Sequence, residues 1–543
     1  MSKTIRLRKW QKEALDLFVD SQSPDYLAVA TPGAGKTTFG LTAARHHLAD
    51  HPYARLIVVV PTQHLKHQWA SAALNFALHL SPEWRSSDNS FPSDMHGIAT
   101  TYQQVASCPD LLNRLATDAF VILDEVHHAG DERAWGDGVS RAFENAAKRL
   151  SLSGTPFRSD TQAIPFVNYE YEQAVPNYEY GYGEALKDRG VVRPIHFPRV
   201  DGHMEWTAPD GSFHSHGFSD ALDATRTSQR LRTALSLEGQ WLPSVLSRAH
   251  KHLREIRLDH PTAGGLVIAM DVDHARAIAE LLETRHNARV IVATSDDPLA
   301  SRRIARYSAG TEEWIVAVRM VSEGVDIPRL RVGVFATNTN TELFFRQAIG
   351  RLVRYTAGVK KQRAYLYIPD DPSLRTKAEQ IAQQRRHSLH REGRDQDEGL
   401  IDLTDENLGE RDEPVSQFSV ISAVAFNDPL DEADEDAYLS DSEDEAFDPN
   451  DNAYAIELAP PPHLSGTSDT TKTRTEVKAD LRGKNVEKVR ELVALTGMSH
   501  AGVNKELNKR ASIDKVTQAT TVQLERRLRC ADQWLLSLVG SKR

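Results

Sequence analysis

Cysteine is scarce in this chain of 543 residues, which contains only Cys108 and Cys530. Two cysteines cannot build a disulfide framework or a cysteine-rich zinc site, and their scarcity favours a reducing, cytoplasmic location. Long apolar runs are also missing, since no stretch of about 18 apolar residues could span a membrane. The opening segment, MSKTIRLRKWQKEALDLF, is amphipathic and lacks the continuous apolar core of a secretory signal. We therefore expect neither a secretion signal nor a membrane partner.

Basic residues are nearly absent from one segment of the chain. The net charge is −11, from 65 basic and 76 acidic residues. Residues 395–451 hold 21 of the acidic residues and one basic residue, Arg411, so the rest of the chain has 64 basic and 55 acidic residues. The negative average therefore does not exclude a nucleic-acid partner. Serine and proline accompany the acidic residues, which predicts a partly disordered acidic linker over 395–470.

Short apolar runs alternate with helical stretches in two series. The first series has runs at 26–30, 56–60, 120–124 and 150–153. The second has runs at 264–270, 289–294, 314–318, 331–337 and 364–369. Such alternation is typical of α/β domains with a doubly wound parallel sheet. Between the two series, Pro209-Asp210-Gly211 indicates a hairpin turn, and a long polar helix is expected over 224–258.

The changes in pattern predict five units along the chain. They are a first α/β domain (1–190), a connector with a hairpin and helix (191–260), a second α/β domain (261–394), the acidic linker (395–470) and a small α-helical domain (471–543). Residues 452–543 hold 16 basic and 10 acidic residues and recover helical periodicity. Nucleic-acid binding and the docking of a protein partner both remain open for this last unit.

A glycine-rich segment, Ala30-Thr31-Pro32-Gly33-Ala34-Gly35-Lys36-Thr37, lies between an apolar run and a helical stretch. Backbone N–H groups in such a loop, with the positive end of the helix, cradle a phosphate. Lys36 is expected to reach the β- and γ-phosphates of ATP, and Thr37 to offer its hydroxyl to Mg²⁺. The predicted nucleotide-binding residues of this segment are Thr31, Gly33, Ala34, Gly35, Lys36, Thr37 and Thr38.

Two carboxylates, Asp124 and Glu125, follow the apolar run 120–123. A carboxylate at the C-terminal edge of such a strand lies beside the phosphate loop. We expect Asp124 to hold Mg²⁺ through its water shell and Glu125 to orient and deprotonate the attacking water. The pair alone could be a charged strand end, but its position two β units after Lys36 favours nucleotide hydrolysis.

Together these motifs resemble those of the superfamily 2 helicases of the DExH type, over about residues 1–394. The likeness is closest to the XPB-like and phage UvsW-like branch, through the opening Leu-Arg-x-Trp-Gln pattern. The resemblance implies two tandem RecA-like domains, ATP and Mg²⁺ as cofactors, and ATP-driven remodelling of duplex or branched DNA.

The resemblance also assigns roles to individual residues. Arg8 and Gln11 match the upstream motif that reads adenine in that family. Residues matching the motifs that couple hydrolysis to strand handling are His127, Ser153 and Thr155. In the second half, the residues matching nucleotide-contacting and catalytic motifs are Gly324, Asp326, Gln347, Arg351 and Arg354.

The two arginines have a clear physical role. Arg351 and Arg354 lie three residues apart on a helix predicted over 343–354, so they share a face. A guanidinium stabilises the negative charge that spreads over the γ-phosphate during phosphoryl transfer. Because the second domain supplies these groups, the site would be complete only when the cleft between the domains closes. The resemblance favours Arg354 as the arginine finger.

Nucleic acid is expected to cross both sheets and to be held mainly through its phosphates. Residues 1–394 hold 48 basic and 45 acidic residues, so hydroxyls and backbone amides should serve beside charges. The predicted contacts are Thr62, Gln63, Thr101, Tyr102, Thr294 and Ser295. Tyr102 and Trp69 are candidates for stacking on a base, although Trp69, on an amphipathic helix, equally fits the core.

The predicted function is that of an ATP-dependent DNA helicase or translocase. An RNA helicase is an alternative, because the same backbone contacts serve both nucleic acids. A motor subunit of a restriction-type complex, with its nuclease on another chain, is a second alternative. A third is an ATP-binding switch or recruitment subunit that separates no strands.

Overall fold

Two parallel β-sheets with helices on both faces form the body of the molecule in this computed structural model. The structure describes residues 3–92, 95–131, 133–154, 164–170, 173–294, 297, 300–318, 327–360, 362–389, 419–426, 453–458, 474–513, 516, 519 and 521–540. Within these ranges, no helix combines the length and the apolar character needed to cross a membrane.

The first half of the chain supplies ten strands. They are β1 (Lys3–Leu7), β2 (Asp25–Ala30), β3 (Leu56–Val60), β4 (Leu80–Ser81), β5 (Gly97–Thr101), β6 (Phe120–Asp124), β7 (Lys148–Ser153), β8 (Tyr169–Glu170), β9 (Gln173–Ala174) and β10 (Tyr178–Tyr180). Seven of them form a parallel sheet in the order β10-β2-β7-β6-β3-β5-β4. Every side chain of β3, Leu-Ile-Val-Val-Val, is buried because helices cover both faces of the sheet.

The helices of this half flank the sheet. They are α1 (Lys9–Asp20), α2 (Lys36–Asp50), α3 (Gln63–Leu74), α4 (Tyr102–Ser107), α5 (Pro109–Leu115), α6 (His128–Asp131), α7 (Arg133–Phe143) and α8 (Tyr182–Lys187), with a 3₁₀ turn at Ser86–Asp88. Thr62 caps α3 and Thr101 caps α4, because each hydroxyl accepts a hydrogen bond from a backbone N–H of the first turn.

The second half repeats the architecture. Its strands are β11 (Ile195–His196), β12 (Arg199–Val200), β13 (Gly202–Thr207), β14 (Phe213–Gly217), β15 (Gly264–Ala269), β16 (Val290–Ala293), β17 (Trp314–Val318), β18 (Leu330–Ala336) and β19 (Ala364–Pro369). The parallel sheet has the order β11-β19-β18-β15-β17-β16, and β12 also pairs with β19. Its helices are α9 (Ala224–Leu235), α10 (Trp241–Asp259), α11 (Val272–His286), α12 (Ala300–Ala309), α13 (Glu342–Leu352) and α14 (Pro372–Leu389). The predicted α/β fold with two tandem RecA-like sheets is confirmed.

Two details of the expected connector differ from the prediction. Its first residues form β11 and β12, which belong to the second sheet. The single helix expected over 224–258 is two helices, α9 and α10. Residues 236–240 separate them, and there Gly239 passes so close to Ala423 that a Cβ on the glycine would lie 2.6 Å from the alanine Cβ. The predicted hairpin is present as β13 and β14.

Two parts of the predicted linker 395–470 are strands, which the prediction of a partly disordered segment did not define. Strand β20 (Ser419–Ala425) pairs antiparallel with β13, and β21 (Tyr454–Leu458) pairs antiparallel with β1. Without these strands, β13 and β1 would each present an edge of unpaired backbone groups, which strand addition satisfies. Apart from Phe426 and Ala453, which adjoin these strands, the other residues of the linker lie outside the described residues.

The C-terminal region forms a bundle of three helices. They are α15 (Arg474–Thr496), α16 (His500–Ala511) and α17 (Thr521–Gly540). Leu492, Val503, Leu507 and Trp534 are among the buried side chains of its core. This region is helical, as the sequence pattern predicted.

Candidate nucleotide site

The glycine-rich loop lies between β2 and α2. Gly33 and Gly35 have φ angles of +87° and +96°, in the left-handed region that favours glycine. A Cβ on Gly35 would approach the Nε2 of Gln11 to 2.7 Å, so the loop has no room for a side chain there. Gly35 is also the N-cap of α2 and supplies no side-chain hydrogen bond. The first backbone N–H groups of α2 are therefore available to an anion.

The N-terminal end of α1 holds this loop by its backbone. Arg8 Nη1 donates to the carbonyl oxygens of Gly33 (3.0 Å) and Ala34 (2.7 Å), and Gln11 Nε2 donates to that of Gly35 (2.9 Å). Trp10 Nε1 adds a third donor, 3.0 Å from the Ala34 carbonyl oxygen. Sequence reasoning had used Trp10 only as part of a pattern, and its role as a loop support was missed.

Asp124 and Glu125 stand at the C-terminal end of β6, beside the loop. Lys36 Nζ lies 3.0 Å from Glu125 Oε1. Glu125 has a φ of +47°, a strained conformation for a residue other than glycine, which often marks a functional site. Two aromatic residues hold Asp124: Trp69 Nε1 donates to its carboxylate Oδ2 (2.7 Å), and the Tyr102 hydroxyl donates to its carbonyl oxygen (2.9 Å).

The pKa values of Asp124 and Glu125 are shifted in opposite directions. Burial, with the adjacent charge of Glu125, raises the pKa of Asp124 to about 6. Burial would also raise the pKa of Glu125, but the Lys36 ammonium and His127 outweigh it and lower that pKa to about 2. Neighbouring carboxyl groups with separated pKa values are typical of sites in which each has a different task.

A polar chain crosses from the first domain to the second through His127. Gln347 Nε2, on α13, donates to His127 Nε2 at 3.2 Å. The other ring nitrogen, Nδ1, lies 3.3 Å from Ser153 Oγ and 3.7 Å from Glu125 Oε2. Glu125 Oε2 also accepts the Gly154 N–H at 3.3 Å. The candidate base is thus connected to the second domain through one histidine.

Helix α13 packs directly on the phosphate loop. A Cβ on Gly350 would lie 2.5 Å from Pro32 Cγ, and one on Gly33 would lie 3.5 Å from Arg354 Cγ. The cleft between the domains has a volume of about 470 Å³. Predicted site residues from both domains line it, namely Arg8, Gly33, Gly35, Lys36, Thr37, Asp124, Glu125, His127, Gln347, Arg351 and Arg354.

The other predicted site residues are less central or not described. Thr31 and Ala34 are buried in the loop, and the Thr38 carbonyl oxygen accepts from the Thr42 hydroxyl within α2. Four predicted residues lie outside the described residues: Thr155, Ser295, Gly324 and Asp326.

The predicted strand contacts divide into two groups. Gln63 is exposed and Thr62 partly exposed at the start of α3, whereas Thr101 and Thr294 are buried. Tyr102 is fully buried, so the predicted base stacking by this residue is wrong. Trp69, the other stacking candidate, is 1% exposed. Trp69 lies within α3 and Tyr102 begins α4, and both side chains hydrogen-bond to Asp124 at the end of β6.

Comparisons with known proteins found one matching family and several similar proteins. Residues 4–158 match the family described as "Type III restriction enzyme, res subunit". The uncharacterised protein ML1624 of Mycobacterium leprae (strain TN) is 38% identical over 560 residues, covering 96% of this chain and 93% of that protein. The uncharacterised protein Rv2917 of Mycobacterium tuberculosis (strain ATCC 25618 / H37Rv) is 45% identical over 397 residues, 72% of this chain. This second alignment covers 65% of the relative's length.

Among solved structures, the chain is similar to the ATP-dependent Type ISP restriction-modification enzyme LlaBIII bound to DNA. That match has 16% identity and a TM-score of 0.47, and it covers 68% of this chain and 28% of the LlaBIII chain.

Proposed function

The chain belongs to the family of the Mycobacterium leprae protein ML1624 and carries a motor domain of the superfamily 2 helicase and restriction-enzyme type, and from this premise we propose that it is an ATP-dependent DNA helicase or translocase. One observation carries the proposal: catalytic groups from two separate sheets converge on one cleft. Lys36 and Glu125 come from the first domain, Arg351 comes from α13 beside the second sheet, and Arg354 comes from the chain just after α13.

The residues of the cleft fit ATP with Mg²⁺. The glycine conformations and the uncapped start of α2 suit the phosphates, and Lys36 adds a positive charge. Thr37 and Asp124 offer the hard oxygen ligands that Mg²⁺ prefers. When bound, Mg²⁺ would neutralise charge that develops on the phosphate oxygens.

The chain's own groups divide the remaining work. Glu125 is ionised at neutral pH, because its pKa is lowered, and can accept the proton of the attacking water. Lys36 holds the phosphates and orients Glu125 at 3.0 Å. Arg351 and Arg354 supply guanidinium groups from the second domain. The contact between Gln347 and His127 forms across the cleft, so it is sensitive to closure.

DNA is proposed as the nucleic acid because the opening Leu-Arg-x-Trp-Gln pattern resembles the XPB-like and UvsW-like branch. Thr62 and Gln63, at the exposed start of α3, are the contacts we propose from the first domain. A motor subunit of a restriction-type complex is a second candidate, favoured by the match of residues 4–158 to a family named for such a subunit.

An ATPase survey with single-stranded, duplex and forked DNA and with RNA, measured side by side, tests the proposal. We expect DNA to stimulate turnover, and strand displacement on at least one fork would identify a helicase. A response to RNA alone would overturn the assignment to DNA. ATPase activity without displacement on any fork would favour a translocase or a switch, and a nuclease that co-purifies would favour the restriction-type motor.

The Glu125→Gln variant gives this survey its internal control. It should bind ATP with near-normal affinity but fail to hydrolyse it, because the amide cannot accept a proton from water. Normal turnover in this variant would show that Glu125 is not the base.

A further inference from the structure

The connector between the two sheets bends sharply and then runs beside the end of α13. Arg189 and Gly190 have φ angles of +35° and +70°, two successive left-handed residues after α8. Val192 then pairs antiparallel with Arg354. The Arg193 N–H donates to the Val353 carbonyl oxygen at 2.7 Å. The backbone that links the domains is therefore bonded to the backbone that carries Arg354.

The side chain of Arg193 strengthens this link. It is fully buried, and its guanidinium donates to the carbonyl oxygens of Pro328 (2.7 Å), Leu330 (3.3 Å) and Arg354. It also donates to Thr356 Oγ1 at 3.0 Å, and the Thr356 hydroxyl in turn donates to the Pro328 carbonyl oxygen at 3.0 Å. One guanidinium thus joins the connector, the turn before β18 and the chain that follows α13.

The choice of arginine has a physical reason. Its planar fork offers five N–H donors, which can reach several carbonyl groups at once, whereas a lysine ammonium acts as a compact point charge. Taking the charge out of water is costly, and burial lowers the pKa of Arg193 well below its ordinary value. A nonpolar side chain of similar size would avoid that cost but could not hold three backbone segments together.

We propose that Arg193 is a positioning residue for Arg354. By holding the backbone of Arg354 against the connector, Arg193 fixes the position of the arginine finger, so that domain closure brings its guanidinium to the γ-phosphate. The inference rests on the proposed function, because it takes Arg354 as the group that touches the phosphate. It adds that the connector, and not only α13, determines where the finger lies.

A double-mutant cycle on the full chain tests the proposal, with Arg193→Lys, Arg354→Ala and the two combined. Arg354→Ala should lower kcat by about 10³-fold. Arg193→Lys should lower kcat by about 10²-fold, as a displacement of about 1 Å does, while the Kd of a fluorescent ATP analogue changes less than about threefold. In the Arg354→Ala background, Arg193→Lys should cost less than about twofold, because the finger it positions is gone.

Arg385 provides the matched control. It is 1% exposed, and its guanidinium donates within β11, to the Ile195 carbonyl oxygen (2.6 Å) and to His196 Nδ1 (3.0 Å). Arg385→Lys should lower Tm and leave kcat within about twofold, as expected for a residue remote from a catalytic network. An equal loss of kcat from both arginine-to-lysine changes would mean that Arg193 acts only through general stability, and would overturn the inference.

The remaining outcomes separate the inference from the proposed function. If Arg193→Lys costs the same factor with and without Arg354, the positioning role is wrong and the finger stands. If Arg354→Ala keeps normal turnover, the finger assignment itself fails. Should Arg193→Lys not fold, Thr356→Val removes one acceptor of the guanidinium with little change in shape. It should lower kcat by about threefold or more, with the same loss of effect in the Arg354→Ala background.

Discussion

The two sheets make the same turn from a central strand into a helix and use it differently. After β2, the turn passes through Gly33 and Gly35, and the N-cap of α2 gives no side-chain hydrogen bond. After β15, Asp271 caps α11, and its Oδ1 accepts the His274 N–H at 2.8 Å. Asp271 also places a negative charge at the positive end of its helix. The first turn is therefore available to a phosphate, whereas the second is closed by its own side chain.

This difference shows how one fold can serve two tasks. The turn after β15 contains no glycine, but the second sheet positions α13, which begins at the Thr341 cap and carries Arg351. Arg354 follows two residues after the end of α13, and both arginines line the cleft. Function therefore depends on which residues occupy the turns and helix faces, and the shared architecture supplies only the placement.

The largest expected effect comes from Lys36→Ala, which removes the charge that makes the first turn a phosphate site. Hydrolysis should be abolished and ATP binding weakened, because both the phosphates and Glu125 lose their partner. Lys251→Ala, in the second half and 82% exposed, is the matched control and should behave like the wild type. Normal turnover of Lys36→Ala, measured by phosphate release, would refute the site.

Gly35→Ala tests whether the shape of the first turn matters as much as its charge. The added Cβ would meet Gln11 Nε2 at 2.7 Å and sit at a φ of +96°. ATP affinity should fall by about tenfold, corresponding to about 1.4 kcal/mol. Gly211→Ala at the hairpin tip has a similar φ of +83° but nothing within 4 Å of the added Cβ. If both variants bind ATP with the same affinity, the conformation of the glycine-rich loop does not affect ATP binding.

Asp271→Ala opens the second turn. Loss of the cap should lower the free energy of unfolding by about 1 kcal/mol without changing ATP affinity. Asp223→Ala, which removes the equivalent cap of α9, should have a similar effect on urea unfolding. A change in ATP affinity in Asp271→Ala that Asp223→Ala does not share would contradict the prediction, because the nucleotide is expected to bind only at the first turn.

The smallest expected effect concerns pH. Burial, together with His51 and Lys148, lowers the pKa of His47 to about 4 from an ordinary value of 6.5. Between these two pH values, His47 is protonated in the unfolded chain and neutral in the folded chain. The free energy of unfolding therefore falls as the pH drops from 6.5 towards 4. His47→Phe, which can still stack on Phe120, should reduce the loss of Tm between pH 7 and pH 4.5.

The control for this change is His46→Gln, on the same helix but 47% exposed. It should leave the pH dependence of Tm close to that of the wild type. Equal pH dependence in the His47→Phe variant and the wild type would show that His47 titrates alike in the folded and unfolded chains.

The sequence predicted what is encoded locally. The strands, the glycine-rich loop and the carboxylate pair each occupy a few adjacent residues, so their pattern sufficed. The support of Asp124 by Trp69 and Tyr102 was missed because it depends on β6, β3 and β5 lying side by side, and the order of strands is not a local property. The pairing of strands β20 and β21 could not be predicted for the same reason, since their partners are far away in the sequence and the surrounding composition indicates disorder.

The pairing of β1 with β21 has a consequence for how the protein is made. Lys3 faces Leu458, so the backbone groups of β1 find their partners only after the chain has been synthesised beyond residue 458. Pairing over such a separation is slow, and an edge that waits for its partner is open to other chains. Arg8, next to this strand, holds the phosphate loop. Maturation of the motor therefore depends on the synthesis of a segment more than 400 residues further along the chain.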